Sequence, residues 1–189
     1  MAIVINGSTN VISGVAVGGL PDGIVDTDMI AANAVTAAKR GAGAILQVKQ
    51  GSTTTYTATT STSSYVDSTL SETITPTAAS SKILVQISQS CNMSVSTYNA
   101  GMYLQLVEGS SAIYTSSTQS FYFFFGSGNN SATTKHRWNL VYLHTPSYSL
   151  GDTLTYKTQQ KAYSDAATTS ARTQPSSDPS YIILLEVAA

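Results

Sequence analysis

Alternation of apolar and polar residues is the main pattern of the chain after residue 45. In the segment 82–90, Ile83, Val85 and Ile87 share one parity and mostly polar residues take the other. Successive side chains of a strand point to opposite faces of its sheet, so this pattern predicts a strand with one buried face. The segment 101–108 has the same period and predicts a second such strand.

Two later segments are apolar on both parities. The segment 181–187 has few polar residues, which is typical of a central strand covered on both faces. The segment 135–144 also alternates, and its two predicted faces have different side chains. One face carries His136, Trp138, Leu140, Tyr142 and His144, and the other carries Arg137, Asn139, Val141 and Leu143.

Five consecutive aromatic residues occupy positions 121–125. One face of this predicted strand can fill a core. The other face also needs to be covered, and because the chain has no spare helix beyond residue 44, we expect a symmetric neighbour to cover it. We therefore expect one face to line a contact between symmetric copies of the chain, and the pattern does not say which face. The candidates for this contact are Phe121, Tyr122, Phe123, Phe124, Phe125, Trp138 and Tyr142.

Turn signals divide residues 45–189 into eight to ten short predicted strands, with Gly, Pro, Ser and Asp between them. This arrangement predicts an all-β head domain, a jelly-roll-like β-sandwich. The Ser/Thr tract 52–64 has two interpretations, a strand or a mucin-like linker. A strand is favoured because Thr is a good strand former and the tract has no proline.

Residues 1–44 follow a different pattern. Residues 3–17 predict a short hairpin, and the break GGLPDG follows at 18–23. Residues 26–40 predict a short helix, with Asp26 or Thr27 as its cap and Gly41 just past its end. The segment has too few large side chains to be stable alone. We expect a small arm that packs on another protein, and a frayed cap over the domain is the alternative.

Composition narrows the function classes. The chain has 189 residues, of which 42% are hydrophobic and only 10% charged, and its net charge is −1. Such a balance gives no attraction to nucleic acid or anionic lipid, so neither is an expected partner. The single cysteine, Cys91, excludes an intrachain disulfide and a cysteine metal site. We expect no signal peptide and no membrane insertion, hence synthesis in the cytosol.

Candidate chemistry is sparse. His136 and His144 lie about 26 Å apart on one extended strand, too far to share a metal ion. No GxSxG motif is present, and Asp152 and Asp165 are isolated acids. We therefore predict no catalytic site, no metal and no cofactor. Tyrosines among Ser, Asn and Gln suit a glycan, although they are also ordinary on a β surface. The candidates for surface binding are Tyr98, Tyr148 and Tyr163.

Two stretches resemble proteins of tailed bacteriophages. The segment 22–41, DGIVDTDMIAANAVTAAKRG, resembles a motif common in tail-fibre and other virion proteins. The segments 45–88, 102–113 and 181–189 are similar to a C-terminal domain recurrent in phage fibres, through SYVD, ITP, ASSKILV and the terminal EVAA. The resemblance implies a homotrimeric head of the tumour-necrosis-factor and C1q type, with no catalytic residues.

The function implied by this resemblance is structural. The chain would be a short virion fibre with an attachment arm, 1–44, bound to other virion proteins, and a head, 45–189, that contacts the host surface. It is short because no shaft lies between the two. A capsid decoration protein is the alternative, and a glycan-active enzyme a remote one. The attachment candidates are Ile3, Ile5, Val11, Ile12, Leu20, Met29, Ile30 and Val35.

Overall fold

A computed structural model of the chain describes residues 4–6, 11–13, 35, 39–95, 99–123, 132–164 and 169–189. The chain divides into two compact units, Met1–Arg40 and Gly41–Ala189. In the first unit, β1 (Val4–Asn6) pairs antiparallel with β2 (Val11–Ser13), the pairing expected of the predicted hairpin. The predicted helix lies outside the described residues except for Val35, Lys39 and Arg40.

Three of the attachment candidates, Ile5, Val11 and Ile12, lie in these two strands, where Ile5 is opposite Ile12. Val35 is exposed. The remaining candidates lie outside the described residues, and they are Ile3, Leu20, Met29 and Ile30. Attachment by this unit stays a prediction.

The second unit is built from antiparallel strands arranged in two sheets, so the prediction of an all-β sandwich is confirmed. Its described strands are β3 (Ile45–Thr53), β4 (Thr57–Thr59), β5 (Val66–Ile74), β6 (Lys82–Val95), β7 (Ala100–Glu108), β8 (Ser111–Thr115), β9 (Phe121–Phe123), β10 (Ala132–His144), β11 (Leu154–Ser164), β12 (Thr169–Thr173) and β13 (Ser180–Val187). The six-stranded sheet has the order β3-β13-β6-β12-β4, with β10 also paired to β6. The five-stranded sheet has the order β5-β11-β7-β8, with β9 also paired to β7.

Strand β6 organises the six-stranded sheet. Strand β13 pairs with its first half and β12 with its second half, while β10 runs along its other edge from Ile83 to Val95. Strand β13 lies between β3 and β6, so its predicted central position is confirmed.

The core lies between the two sheets and follows the predicted alternation. The six-stranded sheet contributes the buried side chains of Ile83, Val85 and Ile87. The five-stranded sheet contributes those of Met102, Leu104 and Leu106. In β10 the parity of Trp138 faces the core and the parity of Val141 faces outward.

Two segments of the sequence analysis are described in part or differ from its expectation. The described part of the aromatic run, Phe121–Phe123, is a strand, and Phe124 and Phe125 lie outside the described residues. In the Ser/Thr tract, β3 ends at Thr53 and only β4 is extended further on. The hydroxyls of Thr57 and Thr173 lie 2.7 Å apart, which fixes β4 to β12. The tract is thus neither a continuous strand nor a free linker.

A buried carboxylate fixes the connection between β5 and β6. The side chain of Glu186, in β13, accepts hydrogen bonds from the Thr77 and Ala78 backbone N–H groups at 2.9 and 3.0 Å. It also accepts from Ser81 Oγ at 2.8 Å and from Gln47 Nε2 at 2.7 Å. Burial alone would raise the pKa of Glu186, but these hydrogen bonds outweigh it and hold the pKa below its ordinary value.

This carboxylate should make stability depend on pH below neutrality. Its pKa is lower in the folded chain than in the unfolded chain, so its stabilisation is complete above about pH 5 and is lost as the pH falls through the folded pKa. Glu186→Gln should lower the free energy of unfolding at pH 7 by about 1–3 kcal/mol and flatten its decline between pH 7 and pH 3. Urea unfolding across this range measures both effects.

The matched control is Glu72→Gln, because the Glu72 carboxylate accepts a hydrogen bond only from the adjacent Thr73 N–H within the described residues. This change should leave the acid decline as it is in the wild type. An equal decline in wild type and Glu186→Gln would contradict the assignment.

Candidate functional surfaces

The outer face of the six-stranded sheet carries a contiguous group of apolar side chains. Within each strand they have the parity opposite to the core residues. We call this group the apolar face, and it consists of Val48, Leu84, Val141, Leu143, Tyr181, Ile183 and Leu185.

Strand register places four of these side chains in one row. Leu143 in β10 is opposite Leu84 in β6, Leu84 is opposite Leu185 in β13, and Leu185 is opposite Val48 in β3. Directly opposite residues on one face of a sheet are in side-chain contact range. The row is therefore a continuous apolar band across four strands.

The apolar face is open to solvent in the single chain. Val141 is 68% exposed and Leu143 is 50% exposed. A shallow hollow of about 230 Å³ lies beside them, and Val141, Tyr181 and Ile183 form part of its wall. The outer face of a β-sandwich is normally polar, and a contiguous exposed apolar area of this kind marks an association site.

Polar contacts border the apolar face at one end. Arg137, in β10, reaches across to the segment before β13, where its guanidinium lies 3.1 Å from the Asp178 carboxylate and 3.2 Å from the Pro179 carbonyl oxygen. An apolar centre with a polar rim is typical of a protein–protein interface. Among the described strands β10 pairs only with β6, so its outer edge is open along its length of 13 residues.

The sequence contains a signal for this surface that also fits a different interpretation. Ile183 and Leu185 supply the second apolar parity of β13, which was attributed to a central position in the sheet. Val141 and Leu143 form the apolar half of the second face of β10. None of these residues was an interface candidate, because the aromatic run was the more conspicuous cluster.

Within the aromatic run, the described part has a core side and a solvent side. Phe121 packs against the core and stacks on His136, with 4.7 Å between ring centroids. Tyr122 points outward and is 45% exposed. The Phe123 side chain, Phe124 and Phe125 lie outside the described residues. Of the two faces left open by the sequence, the face of Phe121 is thus the core side.

The other two candidates for the subunit contact lie inside the sandwich. Trp138 is buried and Tyr142 is partly buried against the core. Both rings neighbour Tyr114, at centroid distances of 6.5 and 5.8 Å. Contacts within one chain account for their burial, so they do not require a symmetric neighbour.

A second candidate surface lies on the outer face of the five-stranded sheet. The Lys161 ammonium nitrogen lies 4.8 Å from the ring centroid of Tyr65 and 4.7 Å from that of Tyr103. The Tyr163 ring follows, 6.1 Å from Tyr103 and 5.9 Å from Tyr122. We call these five residues the tyrosine–lysine strip.

A hydrogen-bonded row adjoins the strip on the same face. Thr115 donates to Gln105, Gln105 donates to Gln159, and Gln159 donates to Asp67. Lys157 Nζ lies 2.9 Å from the same carboxylate. Burial alone would raise the pKa of Asp67, but the hydrogen bonds from Gln159 and Lys157, with the Lys157 charge, lower it. The side chains of this row therefore bond to one another.

The three surface-binding candidates have different locations. Tyr163 belongs to the tyrosine–lysine strip. The hydroxyl of Tyr148 donates to the Ala78 carbonyl at 2.6 Å and accepts from the Ser81 N–H at 2.7 Å, so it holds the β5–β6 connection. Tyr98 lies outside the described residues.

The remaining titratable groups have structural roles in this fold. His144 Nδ1 lies 2.9 Å from the Tyr156 hydroxyl, and burial lowers the pKa of His144 while it raises the pKa of Tyr156. Burial also raises the pKa of the Cys91 thiol to about 12. Within the described ranges, no group of three or more His, Cys, Asp or Glu residues could hold a metal ion. No helix in that part of the chain is long and apolar enough to cross a membrane.

Comparison with known proteins finds only remote likenesses. No protein-family model matches the sequence, and no curated protein matches it. Among solved structures, the chain is similar to dimeric latent PorU from Porphyromonas gingivalis, with a TM-score of 0.37 and 13% identity over 78% of this chain. It is also similar to a chain of infectious bursal disease virus, Gt strain, with a TM-score of 0.23 and 8% identity over 77% of this chain. The match spans 14% and 42% of those two chains, and likenesses at these TM-scores carry no argument about function.

Proposed function

We propose that the chain is a structural component of a phage particle, a short homotrimeric fibre whose first unit attaches to the particle and whose β-sandwich head contacts the host surface. The observation that carries the proposal is the apolar face of the six-stranded sheet. It is a surface for self-association on a chain whose sequence resembles phage fibre proteins. That resemblance is the basis for proposing three chains in each fibre.

The apolar face suits a closed symmetric assembly. A threefold axis beside the sheet would bring the apolar face of every copy towards the axis, where each chain contacts its two neighbours through different parts of that face and the closed ring stops growth. Covering Leu143, Leu84, Leu185 and Val48 removes a continuous apolar band from water, which is the dominant favourable contribution to association. Arg137 and Asp178 lie at the border, where a polar rim stays hydrated.

A trimeric head also suits weak surface recognition. Three copies held together present three identical binding surfaces at a fixed spacing, and many fibres on one particle multiply them again. Strong attachment then does not require a strong single site. The outer face of the five-stranded sheet is free for this role, since the apolar face belongs to the other sheet.

The assembly is tested by one charge placed in the apolar row. Leu143→Glu should lower the mass found by sedimentation equilibrium from three chains to one, because a carboxylate in the interface loses its hydration without a partner. The head should stay folded, because Leu143 is half-exposed and faces away from the core.

The matched control is Leu150→Glu, since Leu150 is 62% exposed in the turn between β10 and β11 and is not part of the apolar row. It should retain the mass of three chains. A wild-type chain that sediments as a monomer at micromolar concentration would overturn the assembly, and so would a Leu143→Glu variant that keeps the three-chain mass.

The particle role is tested in purified virions of the source phage. The full chain should be detected by mass spectrometry in fixed proportion to the major particle proteins, whereas a chain lacking residues 1–44 should form trimers in solution and remain absent from particles. Loss of the first unit without loss of incorporation would contradict attachment through it. Absence of the full chain from particles would contradict the virion role itself.

A further inference from the structure

We infer that the tyrosine–lysine strip binds a saccharide that carries a carboxylate, such as a uronic acid residue. The inference rests on the proposed contact with a host surface and gives that contact a location and a ligand class. It follows from three features of the strip: its ring geometry, the Lys161 ammonium group, which makes no ion pair among the described residues, and its position on the sheet that the apolar face leaves free.

The tyrosine rings form a close cluster, inclined at 58–77° to one another, because the backbone is close-packed beneath them. Gly101 in β7 is opposite Tyr122 of β9 on one side and Tyr163 of β11 on the other. A Cβ atom at Gly101 would lie 2.8 Å from the Phe121 carbonyl oxygen and 3.1 Å from Gln119 Cγ, so no larger residue fits. Without a side chain between them, the two tyrosine rings approach to 5.9 Å across the middle strand.

This ring cluster has the chemistry of a sugar site. A tyrosine ring offers a flat apolar face and a polar tip, which match the C–H face and the hydroxyls of a sugar ring. Within the described part of the chain, the hydroxyls of Tyr65, Tyr103 and Tyr122 make no hydrogen bond. They are therefore available to a ligand, and the 45% exposure of Tyr122 gives the ligand access.

Lys161 determines the charge of the ligand. Its ammonium group is held between the Tyr65 and Tyr103 rings and, unlike Lys157, makes no ion pair among the described residues. The nearby acid, Asp67, is already bound by Lys157 and Gln159. A carboxylate on the ligand would supply the missing counter-charge and form a charge-assisted hydrogen bond.

A single cation fits an acidic sugar better than a nucleic acid. Nucleic-acid binding depends on several Lys or Arg side chains that contact successive phosphates, and the chain has a net charge of −1. One lysine between aromatic rings matches one carboxylate on a ring-shaped ligand. The affinity of a single strip for one sugar should be about millimolar, which the trimer then multiplies.

The test uses the full chain and two matched probes, methyl β-glucuronide and its neutral analogue methyl β-glucoside. Saturation-transfer NMR should detect the glucuronide through its ring C–H protons, and titration should give a Kd for it about tenfold lower than for the glucoside. Saturation transfer to neither sugar would overturn the inference, as would equal affinity for the two. Displacement of the glucuronide by a short single-stranded oligonucleotide at equal concentration would also overturn it, in favour of nucleic acid.

Variants locate the site within the strip. Lys161→Met keeps the unbranched stem and removes the charge, so it should weaken the glucuronide about tenfold and leave the glucoside unchanged. Tyr122→Ala should weaken both sugars. The controls are Lys49→Met and Tyr56→Ala, which change an exposed lysine and a 51% exposed tyrosine elsewhere and should change neither affinity.

Failure of this inference is distinguishable from failure of the proposed assembly. A monosaccharide occupies one strip on one chain, so its binding does not depend on the number of chains. Sedimentation of the same samples separates the outcomes. Monomers that bind the glucuronide would overturn only the assembly, and trimers that bind neither sugar would overturn only the saccharide site. Unchanged glucuronide affinity in Lys161→Met would overturn the role of the strip.

Discussion

Across β10, β6, β13 and β3 the six-stranded sheet carries apolar side chains on both faces, and among the residues that the structure describes only the inner face is covered. The inner face meets the five-stranded sheet in a core that includes Ile83, Val85 and Leu184. The outer face carries Leu84 and Leu185 on the same strands at the opposite parity. A strand alternates its side chains strictly, so both parities are apolar only where both sides are covered. We propose that further copies of the chain supply the second cover, and the rest of the account follows from that proposal.

The two sheets therefore have different roles. The outer face of the six-stranded sheet is apolar and bordered by the Arg137–Asp178 ion pair, which suits permanent burial. The outer face of the five-stranded sheet carries the tyrosine–lysine strip beside a row of polar side chains that bond to one another. This composition suits a surface that stays in water. The Glu186 carboxylate of β13 binds the β5–β6 connection, which links the two sheets, through hydrogen bonds from Thr77, Ala78 and Ser81. The chain has few charged residues, and one of them, Glu186, lies where backbone N–H groups need a hydrogen-bond acceptor.

Alternation along the sequence was enough to predict the sandwich, the core parity of β6 and β7 and the central place of β13. It could not show which parity of β10 faces inward, and Trp138 and Tyr142 were therefore proposed for a subunit contact although they pack within one chain. The tyrosine–lysine strip was out of reach for a different reason. Its members come from four separate segments, and only strand pairing around Gly101 brings them together. The burial of Glu186 likewise depends on a distant loop, residues 75–81, which no local pattern indicates.

The most direct test of the covered outer face is the reaction of a thiol placed in it. Val141 and Leu150 are 68% and 62% exposed in the single chain, so Val141→Cys and Leu150→Cys would react at similar rates with a maleimide if no other molecule covered either site. The natural thiol of Cys91 is buried, with its pKa raised to about 12, and contributes little background. The account predicts that Val141→Cys reacts at least about tenfold more slowly than Leu150→Cys in the native protein, and at the same rate in urea. Equal rates in the native protein would contradict it.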